Sequence, residues 1–197
     1  MNTALRPRIA PLGEHDPRSA DPLLEELVGF TGYRPNALLT MARKSGVVPA
    51  LLKLVSVTLR GDGLLPQQLR FLVAAEAARG ARCRYTTTHL VHIAHHLGAS
   101  WEKLAALPDY RESLLYTDAE RRALAIATAG GTLPVADPGE ALEQARLAWT
   151  EEEVVEIVAC IAMVGWFNRW NGLAGSVLES VPAEAMDHVP WLHALNA

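Results

Sequence analysis

Cysteine is scarce in this chain. Its 197 residues include two cysteines, Cys83 and Cys160, which is too few for the disulfide framework of a small secreted domain. The chain also has no large excess of either charge, since the formal net charge is −4. A basic surface that would favour nucleic acid is therefore not expected. The longest apolar run, around residues 154–167, contains Glu156 and is shorter than a membrane span needs.

These absences argue against a secreted protein, a membrane protein and a nucleic-acid-binding protein. No apolar stretch of the signal-peptide kind follows Arg6 and Arg8, and together with the low cysteine content this predicts a cytoplasmic location. We therefore expect a small-molecule substrate, no nucleic-acid partner and no membrane partner. Half of the residues are apolar, which is enough for one large core.

The remaining pattern is helical throughout. Apolar residues recur every three or four positions, glycines and prolines separate the segments, and capping boxes begin at Thr117 and Thr150. No β-alternation of useful length is present. The sequence predicts an all-α fold of about eight to ten short helices. We assign residues 1–20 to an extended N-terminal arm, residues 21–181 to a helical domain and residues 182–197 to a C-terminal tail. The most apolar helix, residues 154–170, is predicted to be the central buried one.

One stretch, residues 83–96, concentrates the reactive side chains. It holds four of the seven histidines together with Cys83. Cys83 begins the helix, where unpaired N–H groups and the helix dipole favour a thiolate. Positive charge around it comes from Arg79, Arg82 and Arg84. One stripe of the helix is formed by Tyr85, His89, His92 and His96.

Each of these side chains has a predicted role. His89 is the best general acid or base, because imidazole titrates near neutral pH. Tyr85 and Thr86 are candidate hydrogen-bond donors to a substrate. Cys83 is predicted either to be a nucleophile or to line the substrate pocket. His92 is a candidate substrate contact, and the histidine stripe is an alternative metal site. No carboxylate accompanies the stripe, so we predict no metal and no cofactor.

Three segments resemble one known family. Cys83-Arg84-Tyr85 followed by His89 and His92 is similar to the Cys-Arg-Tyr-Cys-x-x-His-x-x-His signature of carboxymuconolactone decarboxylase and alkylhydroperoxidase D-like proteins. Residues 167–171, Phe-Asn-Arg-Trp-Asn, and residues 31–36, Thr-Gly-Tyr-Arg-Pro-Asn, resemble two further segments of that family. The resemblance implies an all-α domain that assembles into trimers or hexamers. Asn168 and Arg169 are candidates for orienting an anionic substrate.

The chain departs from the family pattern at two positions. The resemblance implies that peroxidase members of the family use two cysteines. In this chain the position of the second motif cysteine is occupied by Thr86. The position of the family's relay glutamate is occupied by Phe71, and the nearest carboxylate, Glu76, lies elsewhere around the helix. Cys160 is in the most apolar helix, where packing is the simpler role. The two-cysteine peroxidase cycle is therefore not expected.

Three functions stay open on this sequence. The first is a cofactor-free enzyme with decarboxylase or isomerase chemistry on a small organic acid or lactone, using His89 as acid and base. The second is a one-cysteine thiol peroxidase in which an external thiol resolves Cys83. The third is a non-catalytic binding or assembly protein that keeps the scaffold.

Overall fold

The computed structural model describes residues 6–13 and 15–196, and the predicted all-α fold is confirmed. The π-helical segment Ser56–Arg60 continues α3, and 3₁₀ turns cover Pro17–Ser19, Leu107–Asp109 and Pro190–Ala194. The α-helices are α1 Pro22–Thr31, α2 Asn36–Met41, α3 Val47–Val55, α4 Gln67–Gly80, α5 Arg84–His96, α6 Trp101–Ala105, α7 Asp118–Gly130, α8 Gly139–Ala145, α9 Glu151–Ala174, α10 Ser180–Ala183 and α11 Ala185–His188.

Local chemistry sets several helix ends. Asp21 caps α1 by accepting from the backbone N–H groups of Leu23 and Leu24. The capping boxes at Thr117 and Thr150 are both formed, which confirms the predicted starts of α7 and α9. At the other end of α9, Gly175 has φ 61°. Glycine adopts this left-handed conformation with little conformational strain because it has no Cβ, and the helix ends there.

The core is centred on α4 rather than on α9. α4 packs against α5, α7 and α9, and residues 69–78 are all buried. The prediction of α9 as the central buried helix is wrong, because one of its faces lies at the surface. That exposed face is apolar and includes Val155, Val158, Trp166 and Leu173. Within the described residues, no helix combines the length and the apolar character that a bilayer crossing requires.

The described residues near both ends of the chain lie against this bundle. Part of the predicted arm, residues 1–5 and 14, is outside the described residues. In the rest, the N–H groups of Arg8 and Ile9 donate to Ala174 O at 2.9 and 3.0 Å, and Leu12 is buried. Residues 176–196, here named the C-terminal segment, pack on α5 through α10, α11 and the last 3₁₀ turn. The arm and this segment therefore bury surface of their own chain.

Candidate active site

Helix α5 presents the predicted reactive side chains from its first turn onward. Cys83 is the N-cap residue, as predicted, and its own N–H donates to Ala78 O. The residue before it, Arg82, has φ 56°, which turns the chain sharply from α4 into α5. The Cys83 Sγ lies 3.2 Å from Thr86 Oγ1, one turn along the helix.

His89 has a hydrogen-bond partner on each ring nitrogen. Its Nε2 lies 2.7 Å from Glu179 Oε2, and its Nδ1 lies 2.8 Å from the Tyr33 hydroxyl. Since a carboxylate only accepts, the Nε2 proton donates to Glu179. In the neutral imidazole, Nδ1 then accepts from Tyr33. This arrangement is that of an imidazole oriented by a carboxylate and coupled to a phenol, which suits proton transfer.

Glu179 is held as an anion by its donors. Besides His89, its carboxylate accepts from the Tyr85 hydroxyl at 2.7 Å and from the Asn36 backbone N–H. Burial alone would raise the pKa of Glu179. The hydrogen bond from His89, its charge, and the hydrogen bonds from Asn36 and Tyr85 outweigh burial and hold that pKa below its ordinary value. The charge is thus available to stabilise a protonated His89.

The two tyrosines of the site stay neutral. Burial and then the charge of Glu179 raise the pKa of both Tyr33 and Tyr85. Tyr85 donates to Glu179 and accepts from the Ala37 N–H at 3.1 Å, so its hydroxyl is occupied in positioning the carboxylate. Tyr33 is the phenol whose oxygen reaches His89.

A small cavity of about 100 Å³ lies beside these groups. Its polar end is formed by Tyr33, Tyr85, Thr86, His89 and Asn171. Most of the wall is apolar and includes Leu27, Leu38, Leu52, Val55, Leu59, Phe71, Leu90, Ile93 and Phe167. Arg60 also lines it, but its guanidinium pairs with Glu26 at 3.4 Å. Cavities of this kind fit small ligands with few polar groups.

Asn171 joins the site from α9. It is 5% exposed, and its Nδ2 donates to Thr86 Oγ1 at 3.1 Å while its Oδ1 accepts from Ser176 Oγ at 2.7 Å. The neighbouring candidates Asn168 and Arg169 are not brought together with His89. They line a separate surface depression of about 640 Å³.

His92 also lies outside the cavity wall. Its Nε2 is 3.1 Å from His96 Nε2, and the residue is buried. Burial, followed by the neighbouring imidazoles of His96, His89 and His95, lowers the pKa of His92 to about 4, so it is neutral at physiological pH. Among the described residues, no group of three or more histidine, cysteine or carboxylate side chains is placed to hold a metal ion.

The charges predicted around Cys83 are directed elsewhere. Arg79 forms an ion pair with the buried Glu76 at 2.7 Å, and Arg82 donates to Ala194 O. Arg84 donates to the carbonyl oxygens of His193 and Leu195. The sulfur therefore has the Thr86 hydroxyl, rather than a guanidinium, as its hydrogen-bond partner.

The second thiol is far less accessible. Cys160 is fully buried and donates to Thr58 O at 3.2 Å. Burial raises the pKa of Cys160 to about 12, as expected for a thiol in an apolar helix. Both cysteines are free.

The chain is similar to known proteins both in sequence and in fold. The model of the carboxymuconolactone decarboxylase family matches residues 40–129, the part that contains α4 and α5. The fold of an alkylhydroperoxidase AhpD core protein from Ralstonia eutropha JMP134 superposes with a TM-score of 0.71 at 19% identity, covering 87% of this chain and 93% of that one. Residues 40–129 of this chain are thus similar to the carboxymuconolactone decarboxylase family, and the fold is that of AhpD-like proteins.

Another solved structure is more similar in sequence. The debrominase Bmp8, solved with 2,3,4-tribromopyrrole as a variant in which alanine replaces a cysteine, is 29% identical with a TM-score of 0.82. The alignment covers 95% of this chain and 97% of that chain. Among curated proteins, none is similar to this chain.

Three members of the site are not predicted as such from the sequence. Tyr33 and Asn171 lie inside the two further segments that resemble the family, which is the available signal. The sequence favours hydrogen bonding at a subunit interface or helix cap for Asn171 and indicates no role for Tyr33. Glu179 lies in no recognisable motif. The family's glutamate position, Phe71, is part of the cavity wall, and Glu179 brings a carboxylate to His89 from the other end of the chain.

Proposed function

We propose that this protein is a cofactor-free enzyme that transfers protons on a small, flat and largely apolar substrate. The observation that carries this proposal is the hydrogen-bonded series Tyr33–His89–Glu179, of which Tyr33 and His89 line the polar end of an apolar cavity. The family and the debrominase neighbour agree with a small-molecule enzyme. Decarboxylation or isomerisation of a small cyclic acid or lactone is the reaction class that the site suits best.

The proposed proton route uses three side chains. Tyr33 gives its hydroxyl proton to the substrate and takes one from the Nδ1 of a protonated His89, so the phenol need not become a stable anion. Glu179 accepts from Nε2 throughout and stabilises the imidazolium. General acid–base catalysis of this kind contributes about 10²- to 10⁴-fold to a rate.

A second candidate function uses the thiol. The likeness to a debrominase supports it, and so does the position of Cys83 against Thr86, which lines the cavity. The reaction would convert a bromoarene and two thiols into the arene, hydrogen bromide and a disulfide between Cys83 and an external thiol. A one-cysteine peroxidase would need the same external thiol, which a reducing compartment such as the cytoplasm supplies.

Turnover assays on matched variants separate these functions. We would incubate the protein with small cyclic acids, lactones and brominated pyrroles in D₂O, with and without a thiol reductant, and measure deuterium incorporation, carbon dioxide and bromide. Proton-transfer chemistry predicts loss of turnover in His89→Gln and Glu179→Gln but not in Cys83→Ser. Bromide release that requires Cys83 would favour the second candidate. Binding of 2,3,4-tribromopyrrole without turnover of any of these compounds would support the non-catalytic alternative.

The exposed apolar face of α9 supports the proposal of a homo-oligomer, either a trimer or a hexamer. Val155 and Leu173 are 65% and 73% exposed, and apolar patches of this kind mark interaction sites. Light scattering at micromolar concentration is expected to give three or six times the chain mass of 21.4 kDa. The mass of a single chain would contradict this assembly.

A further inference from the structure

A directed series of hydrogen bonds ends on the sulfur of Cys83. Ser176 Oγ donates to Asn171 Oδ1 at 2.7 Å, and the Nδ2 of the same amide faces Thr86. The Asn171 Nδ2 donates to Thr86 Oγ1 at 3.1 Å. Thr86 Oγ1 in turn lies 3.2 Å from Cys83 Sγ.

The direction of the last bond follows from the one before it. An amide nitrogen only donates, so the Thr86 oxygen accepts from Asn171 and its own proton must point elsewhere. The sulfur is the hydroxyl's other hydrogen-bond partner among the described residues. If the sulfur donated instead, the hydroxyl proton would be left unpaired in a residue that is 5% exposed, which is costly.

We propose that Thr86 and Asn171 are positioning residues that hold a hydroxyl proton on the Cys83 sulfur and so favour its thiolate. The inference deepens the second candidate function, because a thiolate is the reactive form in thiol chemistry. It gives a role to the threonine that stands where the family signature has its second cysteine. This hydroxyl is the polar partner of the sulfur, because Arg79, Arg82 and Arg84 face other groups.

The test is the pH dependence of Cys83 alkylation by iodoacetamide, which needs no substrate and therefore stands apart from the proposed function. All variants are made in a Cys160→Ala background, so that a single thiol reacts. Thr86→Val removes the hydroxyl with little change in volume, and Thr86→Ser restores it. Thr88→Val is the matched control, since Thr88 is on the same helix, is fully buried and has a hydroxyl with no partner among the described residues.

We expect Thr86→Val to move the midpoint of the alkylation profile upward by about one pH unit, the size of a lost hydrogen bond to a charged group. Thr86→Ser and Thr88→Val are expected to stay within about 0.3 units of the parent. If Thr86→Val does not fold, Asn171→Asp tests the same point, because an aspartate oxygen attracts the Thr86 proton and raises the midpoint. An unchanged midpoint in Thr86→Val, an equal rise in Thr88→Val or no recovery in Thr86→Ser would overturn the proposal, as would an unchanged midpoint in a folded Asn171→Asp.

Discussion

The site is divided between a long helix and a segment of very short ones. α5 spans 13 residues and packs along α4, so His89 is fixed by the core of the bundle. Glu179 belongs to the C-terminal segment, whose helices α10 and α11 have four residues each. Helices of that length are not stable alone in water, so the position of the carboxylate depends on contacts with α5 and its neighbours.

Contacts along its whole length attach the C-terminal segment. Glu179 binds His89 near its start, and His188 stacks on Trp101 with ring centroids 4.6 Å apart in its middle. Near its end, Arg84 holds backbone carbonyl oxygens, and Asn196 forms an isolated β-bridge with Cys83. The His89–Glu179 hydrogen bond therefore exists only while the C-terminal segment is docked, whereas the helix that carries His89 packs on the core through α4.

The strongest way to break this docking is to remove the carboxylate charge. Glu179→Gln is expected to lower the free energy of unfolding by about 3 kcal/mol at pH 7, because His89, Tyr85 and Asn36 lose a buried anionic acceptor. Urea denaturation measures this effect. Glu184→Gln is the control, since Glu184 is exposed in the same segment and should change stability by less than about 0.5 kcal/mol.

The same variant has a definite pH signature. The folded-state pKa of Glu179 lies below its ordinary value of 4.5, so its contribution is complete above pH 4.5 and is lost as the pH falls through the folded-state value. The difference between wild type and Glu179→Gln is therefore expected to shrink in acid. A difference that stayed constant from neutral to strongly acidic pH would contradict the ionised carboxylate.

A second effect on stability is expected from His92, which is part of α5. The pKa of His92 falls from 6.5 to about 4 on folding, chiefly through burial. Above pH 6.5 it is neutral in both states, but between 6.5 and 4 only the unfolded chain takes up the proton. Stability is thus expected to fall by about 3 kcal/mol as the pH drops through this window.

The substitution His92→Gln should remove that fall from the pH profile of unfolding. His15→Gln is the matched control, because His15 is exposed and its loss should leave the profile unchanged. A profile for His92→Gln that still falls like that of wild type would show that His92 is not the group responsible.

The smallest effect concerns the far end of the C-terminal segment. The guanidinium of Arg84 donates three hydrogen bonds to the carbonyl oxygens of His193 and Leu195, whereas Arg82 donates one to Ala194 O. Arg84→Gln is expected to cost about 1 kcal/mol locally, which is about fivefold faster hydrogen exchange at the amides of residues 190–196. Arg82→Gln should have a lesser effect, and equal exchange in both variants would contradict this attachment.

Sequence predicted the parts of the molecule that local chemistry determines. The capping boxes at Thr117 and Thr150, the helix start at Cys83 and the stripe that contains His89 all follow from residue types at fixed spacings. The prediction that α9 is the central helix is wrong because it rests on the apolar composition of the whole helix. Composition does not show which face lies at the surface.

The missing part of the site depends on long-range contacts. Glu179 lies 90 residues from His89 in the chain and sits at the start of a four-residue helix with no periodic signal. Tyr33 and Asn171 were inside recognisable segments, but the spacing within each segment does not show that one phenol reaches His89 or that one amide reaches Thr86. Those contacts exist only once α1, α5, α9 and the C-terminal segment have packed.

The central claim is that Glu179 and His89 act as a coupled pair, and a double-mutant cycle on stability tests it most directly. Urea unfolding at pH 7 of the wild type, His89→Ala, Glu179→Ala and the double variant is expected to give a coupling of about 1–3 kcal/mol. The parallel cycle of His89 with the exposed Glu184 should give no coupling beyond about 0.3 kcal/mol. A coupling between His89 and Glu179 as small as that of the control pair would contradict the account.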